Sequence, residues 1–187
     1  MKIEERFKVV REKIGTEKFL KGRGVGNDLS FYVFDYNPKD ELIVRYYVEL
    51  LMKDFNRVED GIKIKEFDLY KTFIHFLREQ DIFEQIIDME KTDNKEYIFQ
   101  AVTPLINEDM YIAKIEEEHK GYDIIFITGV GKVYPFMRSH NILNNLHRIL
   151  GKKPLVIFYP GEYTGQDLTL FNKFFDENYY RAFQLTI

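Results

Sequence analysis

Asp123-Ile124-Ile125-Phe126-Ile127-Thr128 is an almost unbroken apolar run, followed by Gly129-Val130-Gly131-Lys132. Leu155-Val156-Ile157-Phe158-Tyr159 repeats the pattern between Pro154 and Pro160-Gly161. A strand that is apolar at every position needs cover on both faces, which is the signature of a parallel sheet between helices. Ser30 to Phe34 gives a further short strand, closed by Asp35-Tyr36-Asn37-Pro38, and Ile62 to Leu69 alternates as a half-buried strand does. Between these runs the spacing predicts helices at 3–21, 39–57, 71–90, 98–118 and 139–150. Leu42, Val44, Val48, Leu51, Met52 and Phe55 form the expected core side of the second, and Pro104 is a kink or start in the fourth. Ser139 is the expected cap of the last helix and Gly151 its stop. This alternation predicts an α/β fold, a mostly parallel sheet flanked by helices in three layers. One domain over 1–187 is expected, with an N-terminal helix over 1–23 and a sheet-containing core over 30–187.

Composition excludes several chemistries. The 187 residues are 45% hydrophobic and 31% charged, enough for a packed core, and the 17 Phe and 13 Tyr supply large buried side chains. With no cysteine there are no disulfides, thiolate metal sites or cysteine nucleophiles. The N-terminus carries charges and no apolar leader, and no apolar run approaches the ~20 residues of a membrane span. A cytoplasmic protein without membrane contact is the expectation. Net charge is −4, which argues against binding nucleic acid through total charge. The distribution is uneven: 1–23 holds eight bases and four acids, whereas 79–118 holds three bases and twelve acids. The acidic block reads as a solvated helix face or as a docking surface for a basic partner.

Two glycine clusters resemble phosphate loops without meeting their requirements. Gly22-x-Gly24-x-Gly26 precedes the first strand instead of following one, so a connection is the better reading. Thr128-Gly129-Val130-Gly131-Lys132 does follow a strand, but Phe126 and Val133 stand where a P-loop needs glycine and a hydroxyl residue. No Gly-x-Ser-x-Gly elbow is present. His140 and His147 lie two helical turns apart, about 10 Å of rise, too far to share one ion; no metal or other cofactor is expected. Ligands of parallel sheets gather beyond the carboxyl ends of the strands. Asp35, Thr128 and Glu162 fall there, with Lys132, Arg138, His140 and Asn144 on the adjoining loop and helix. These are the candidate ligand- or partner-binding residues, joined by Tyr179, Tyr180 and Arg181 as a stacking or partner surface. No catalytic residue is assigned.

Three stretches together resemble one family. They are Phe34-Asp35-Tyr36-Asn37-Pro38-Lys39-Asp40-Glu41 with Val44-Arg45; Thr128-Gly129-Val130-Gly131 through Pro135-Phe136-Met137-Arg138-Ser139-His140-Asn141-Ile142-Leu143-Asn144-Asn145-Leu146; and Pro154 through Tyr163 with Asn178-Tyr179-Tyr180-Arg181-Ala182-Phe183. From about residue 30 onward the chain is similar to BrxB, the small B component of BREX bacteriophage-exclusion systems. The resemblance implies a cytoplasmic defence protein acting beside a phosphatase-like PglZ protein, an adenine-specific DNA methyltransferase and a large ATPase. It brings no catalytic residues. The reading is therefore a non-enzymatic adaptor that binds a PglZ-like protein or the methyltransferase, touching DNA only indirectly. The alternatives are a nucleotide- or anion-binding regulatory domain using 128–140, and a DNA-binding accessory protein using the basic N-terminal segment.

Overall fold

A computed structural model describes residues 1–21, 30–92, 95–176 and 182–186. The expected loop at Gly22–Gly26 and the expected surface at Tyr179, Tyr180 and Arg181 lie outside these residues. The chain runs through helices α1 (Ile3–Ile14) and α2 (Glu17–Leu20), strand β1 (Phe31–Tyr36), helix α3 (Glu41–Asn56) and strand β2 (Ile64–Asp68). Four helices follow, α4 (Leu69–Glu79), α5 (Phe83–Thr92), α6 (Lys95–Val102) and α7 (Glu108–Glu118). Strand β3 (Ile124–Thr128), α8 (Val130–Val133), α9 (Ser139–Leu150) and β4 (Leu155–Tyr163) complete the centre. The short strands β5 (Leu168–Leu170), β6 (Phe174–Asp176) and β7 (Phe183–Gln184) close the chain.

The sheet order is β2-β3-β4-β1-β7, with every neighbouring pair parallel. Phe31 sits opposite Leu155 and Tyr36 opposite Pro160, while Ile125 faces Leu155 from the other side. The expected mostly parallel sheet between helices is thus the observed one. Its residues alternate between two cores. Tyr32, Phe34, Phe126 and Phe158 pack under α1 and α3, where the Phe7 ring lies 4.7 Å from that of Phe34. Val33, Ile125, Ile127 and Ile157 pack under α4, α6, α7 and α9. Each such fully buried side chain contributes about 1.5–3 kcal/mol. Among the described residues no helix is long and apolar enough to cross a membrane.

Several element boundaries differ from the sequence expectation, for local reasons. The helix expected over 3–21 breaks after Ile14, where Thr16 accepts the Phe19 N–H and starts α2. The helix expected over 71–90 divides at Asp81, whose φ of 57° lies in the left-handed region. The one expected over 98–118 divides at the turn containing Pro104, and Asn107 caps α7. The loop after Thr128 contains α8. Ser139 is the first residue of α9 instead of its cap; Arg138 holds the cap position and makes no side-chain cap bond. Strand β4 does not stop at Pro160-Gly161. Proline's missing N–H falls where β4 leaves β1 and begins pairing with β5, and Gly161 leaves room for the Thr169 carbonyl, which would lie 2.0 Å from a Cβ. Leu42, expected in the core, is 71% exposed.

Candidate functional site

The sheet is wound in two directions. α3 carries the chain from β1 across one face to the edge strand β2, and α4 to α9 bring it back over the other face to β4. Such a reversal leaves a crevice at the carboxyl ends of the strands. Here it is a hollow of about 410 Å³ between the first half of α3 and the ends of β1, β2 and β3. Glu66 and Asp68 face it from β2, Thr128 from β3, Lys71 from α4, and Glu41, Arg45 and Glu49 from α3, with Leu42 and Tyr46 of the same helix at its rim.

Several of the polar groups in this crevice pair with one another. Asp68, buried at 7% exposure, caps α4 by accepting the N–H groups of Tyr70 and Lys71 on Oδ1, at 3.0 and 3.1 Å. Its Oδ2 accepts Lys132 Nζ at 2.6 Å. The Thr128 hydroxyl donates to Glu66 Oε1 at 2.6 Å. The Tyr36 hydroxyl donates to Glu41 Oε2 at 2.5 Å, and Glu41 also meets Arg45 Nε at 3.3 Å. Burial, then the Glu41 charge and hydrogen bond, push the Tyr36 pKa far above the phenol range, so this hydroxyl stays protonated at neutral pH. Gly129 has a φ of 73°, and a Cβ there would lie 2.1 Å from Asp68 Oδ1. The glycine that gives the segment its P-loop look makes room for a carboxylate of the protein itself.

The sequence-predicted residues are spread over several places. Thr128 and Lys132 lie in the crevice, whereas Arg138 lines a second hollow on the other side of α8; Gly129 borders the first and Val130 the second. Asp35 is a clamp between elements: it pairs with Arg6 at 2.9 Å and accepts the Tyr163 N–H at 3.2 Å and Gln184 Nε2 at 3.4 Å. Arg6 also donates to Thr186 Oγ1 and lies over the Phe34 ring. Glu162 is exposed on β4 opposite Thr169, and Asn144 is exposed on α9. His147 is not on a solvated stripe. Its ring stacks on Phe31 at 3.7 Å, and burial lowers its pKa. His140 is the second residue of α9.

Two further surfaces bear on function. The acidic block falls on α5, α6 and α7, with Glu84, Asp88, Glu90, Glu96, Asp109 and Glu116 exposed. In the basic N-terminal segment Arg6, Arg11, Lys13 and Lys21 already meet Asp35, Asp54, the Leu185 carbonyl and Glu17 respectively. Sequence reasoning missed the centre of the crevice, Asp68. The available signal was an Asp ending an alternating strand directly before a helix, the pattern of an N-cap. It also missed the outer face of α3. Leu42 (71% exposed), Tyr46 (61%) and Leu50 (38%) form a row at i, i+4, i+8, flanked by Ile43. Among the described residues no group of three or more His, Asp or Glu side chains is placed to hold a metal ion.

A model of the family described as BREX protein BrxB matches residues 65–185. The chain belongs to the BrxB family. It is 40% identical to the BREX protein BrxB of Bacillus cereus (strain H3081.97), over 98% of this chain and 97% of that protein. It is 30% identical to the BREX protein BrxB of Escherichia coli O9:H4 (strain HS), over 98% of this chain and 91% of the relative. No solved structure matches. The protein is thus a BrxB-family member of BREX phage-defence systems. The family match spans the crevice from β2 onward, and both pairwise matches extend over nearly the whole chain, so they take in β1 and α3.

Proposed function

We propose that this BrxB-family chain is a non-catalytic adaptor of a BREX assembly, binding a PglZ-like protein through the outer face of α3. The observation that carries the reading is the row Leu42, Tyr46 and Leu50 on a helix whose other side, through Val44, Val48 and Leu51, is already buried against the sheet. A helix apolar on both sides is normally buried on both. Exposed Tyr and Leu in one row supply the apolar centre of an interface, and Glu41, Arg45 and Glu49 supply a polar rim. The crevice supports the non-catalytic part of the reading: the Glu41, Glu66 and Asp68 carboxylates, the Lys132 ammonium and the Tyr36 and Thr128 hydroxyls are committed to internal pairs. The commitment of Arg6 to Asp35 and of Lys13 to the Leu185 carbonyl weighs against the DNA-binding alternative.

The test is co-expression with the PglZ-like protein of the same system, followed by size-exclusion chromatography with light scattering. A stoichiometric complex is the expected result. Separate elution from the PglZ-like protein, with co-elution with the methyltransferase instead, would overturn the choice of partner. Separate elution from both would overturn the adaptor reading.

A further inference from the structure

The second hollow, of about 280 Å³, opens at the start of α9. Arg138 and Lys173 are exposed on its lining, and no carboxylate is among the described residues that line it. Ser139 lines it too, at 8% exposure, and its hydroxyl has no hydrogen-bond partner among the described residues. A hydroxyl that reaches a cavity from a mostly buried residue is free to donate to a ligand atom there. It sits in the first turn of a 12-residue helix that lacks a side-chain cap, where free backbone N–H groups and the helix dipole favour an anion. The other described helices of eight residues or more each supply an acid in the first turn or at the cap: Glu4 in α1, Glu41 in α3, the cap Asp68 in α4, Glu84 in α5, Glu96 in α6 and Glu108 in α7. In α9 there is none.

Part of the remaining wall is aromatic. Tyr134 and Phe174 stand with ring centroids 5.0 Å apart, and Phe175 beside them is 62% exposed. Two cations, a donor hydroxyl and flat rings on one lining match a phosphate joined to a planar base. The volume of about 280 Å³ lies just below the usual range of ligand pockets, about 300–1,000 Å³. The segment before it lacks the loop that would wrap a triphosphate. We propose that this hollow binds a nucleoside monophosphate. The phosphate accepts from the Ser139 hydroxyl and the first turn of α9 between Arg138 and Lys173, and the base lies against Tyr134, Phe174 and Phe175. The site goes beyond the adaptor reading and stands or falls without it, because the chain alone suffices for the test.

Purified full-length protein is titrated with AMP, adenosine and inorganic phosphate by calorimetry, with ³¹P NMR as a second readout. Saturable AMP binding is expected, with adenosine and phosphate each weaker by about tenfold or more, since each retains only one end of the site. The double variant Arg138→Gln/Lys173→Gln should lose AMP binding while keeping its melting temperature, because both side chains are exposed. Phe175→Ala should weaken AMP and leave phosphate unchanged. Ser139→Ala should weaken both. Absence of saturable binding at millimolar AMP would overturn the proposal. So would AMP binding that survives the double variant, or phosphotyrosine binding more tightly than AMP.

Discussion

The floor of the crevice beside α3 and the apolar row on the same helix, whose Leu42 and Tyr46 reach the crevice rim, are built in opposite ways. Inside, Asp68, Lys132, Glu66, Thr128, Tyr36 and Glu41 are polar and tied to one another. At its rim and beyond it, Leu42, Tyr46 and Leu50 are apolar and exposed. An active site at strand ends commonly keeps unpaired, convergent polar groups in its hollow and an unremarkable surface around it. This protein has the reverse distribution. Charge is used to hold the sheet ends together, and the unsatisfied surface is hydrophobic, which is the pattern of a molecule that works through contact with others.

The largest expected effect lies inside. Asp68→Ala removes the α4 cap and leaves the Lys132 ammonium, 24% exposed, facing the end of β2 without its partner. A loss of about 3–5 kcal/mol is expected by chemical denaturation. A loss below about 1 kcal/mol would mean that the crevice is not internally locked. Gly129→Ala comes next, because alanine must adopt a left-handed φ of 73° with its Cβ against Asp68. About 1–3 kcal/mol is expected, measurable as a fall in melting temperature. If Asp68→Ala is made first, the added cost of Gly129→Ala should shrink, since the clashing carboxylate is gone; simple additivity would contradict the contact.

The smallest effect is the pH dependence from His147. Burial lowers its folded-state pKa below the ordinary 6.5, so the unfolded chain binds the proton more readily. The stability it contributes is complete above pH 6.5 and is lost as pH falls through the folded value. His147→Phe keeps a ring on Phe31 and should flatten the decline of melting temperature between pH 7.5 and 5.5. A residual slope should remain from His119, whose pKa is lowered by burial and by the nearby Lys153 and Lys120. An unchanged slope in His147→Phe would show that the ring is protonated as freely in the folded protein as in the unfolded chain.

The parts of the fold legible in the sequence were those written in single local patterns. The continuous apolar runs 124–128 and 155–159 gave parallel strands, and Gly151 marked the end of α9. What was not legible depended on partners distant in sequence. Asp35 looked like a strand-end ligand because nothing local shows that Arg6, 29 residues away, reaches it. Pro160 looked like a stop because the change of pairing from β1 to β5 involves residues on both sides of it. The helical period of α3 is apolar on two faces, so it could not tell which face meets the sheet, and Leu42 was placed on the wrong one. The site followed the same rule. Thr128 and Lys132 were recognisable beside a strand end, but their fixed partners Glu66 and Asp68 lie more than 60 residues earlier.

The most direct test of the adaptor account compares two surface variants for affinity toward the PglZ-like protein in the same titration. Leu42→Glu/Tyr46→Glu alters the apolar row, and Glu84→Lys/Asp88→Lys/Glu90→Lys reverses the exposed acids of α5; both sets of side chains are exposed, so stability should change little. The account predicts that the α3 variant loses binding and the α5 variant keeps it. Loss in the α5 variant with full binding in the α3 variant would contradict it and move the interface to the acidic helices.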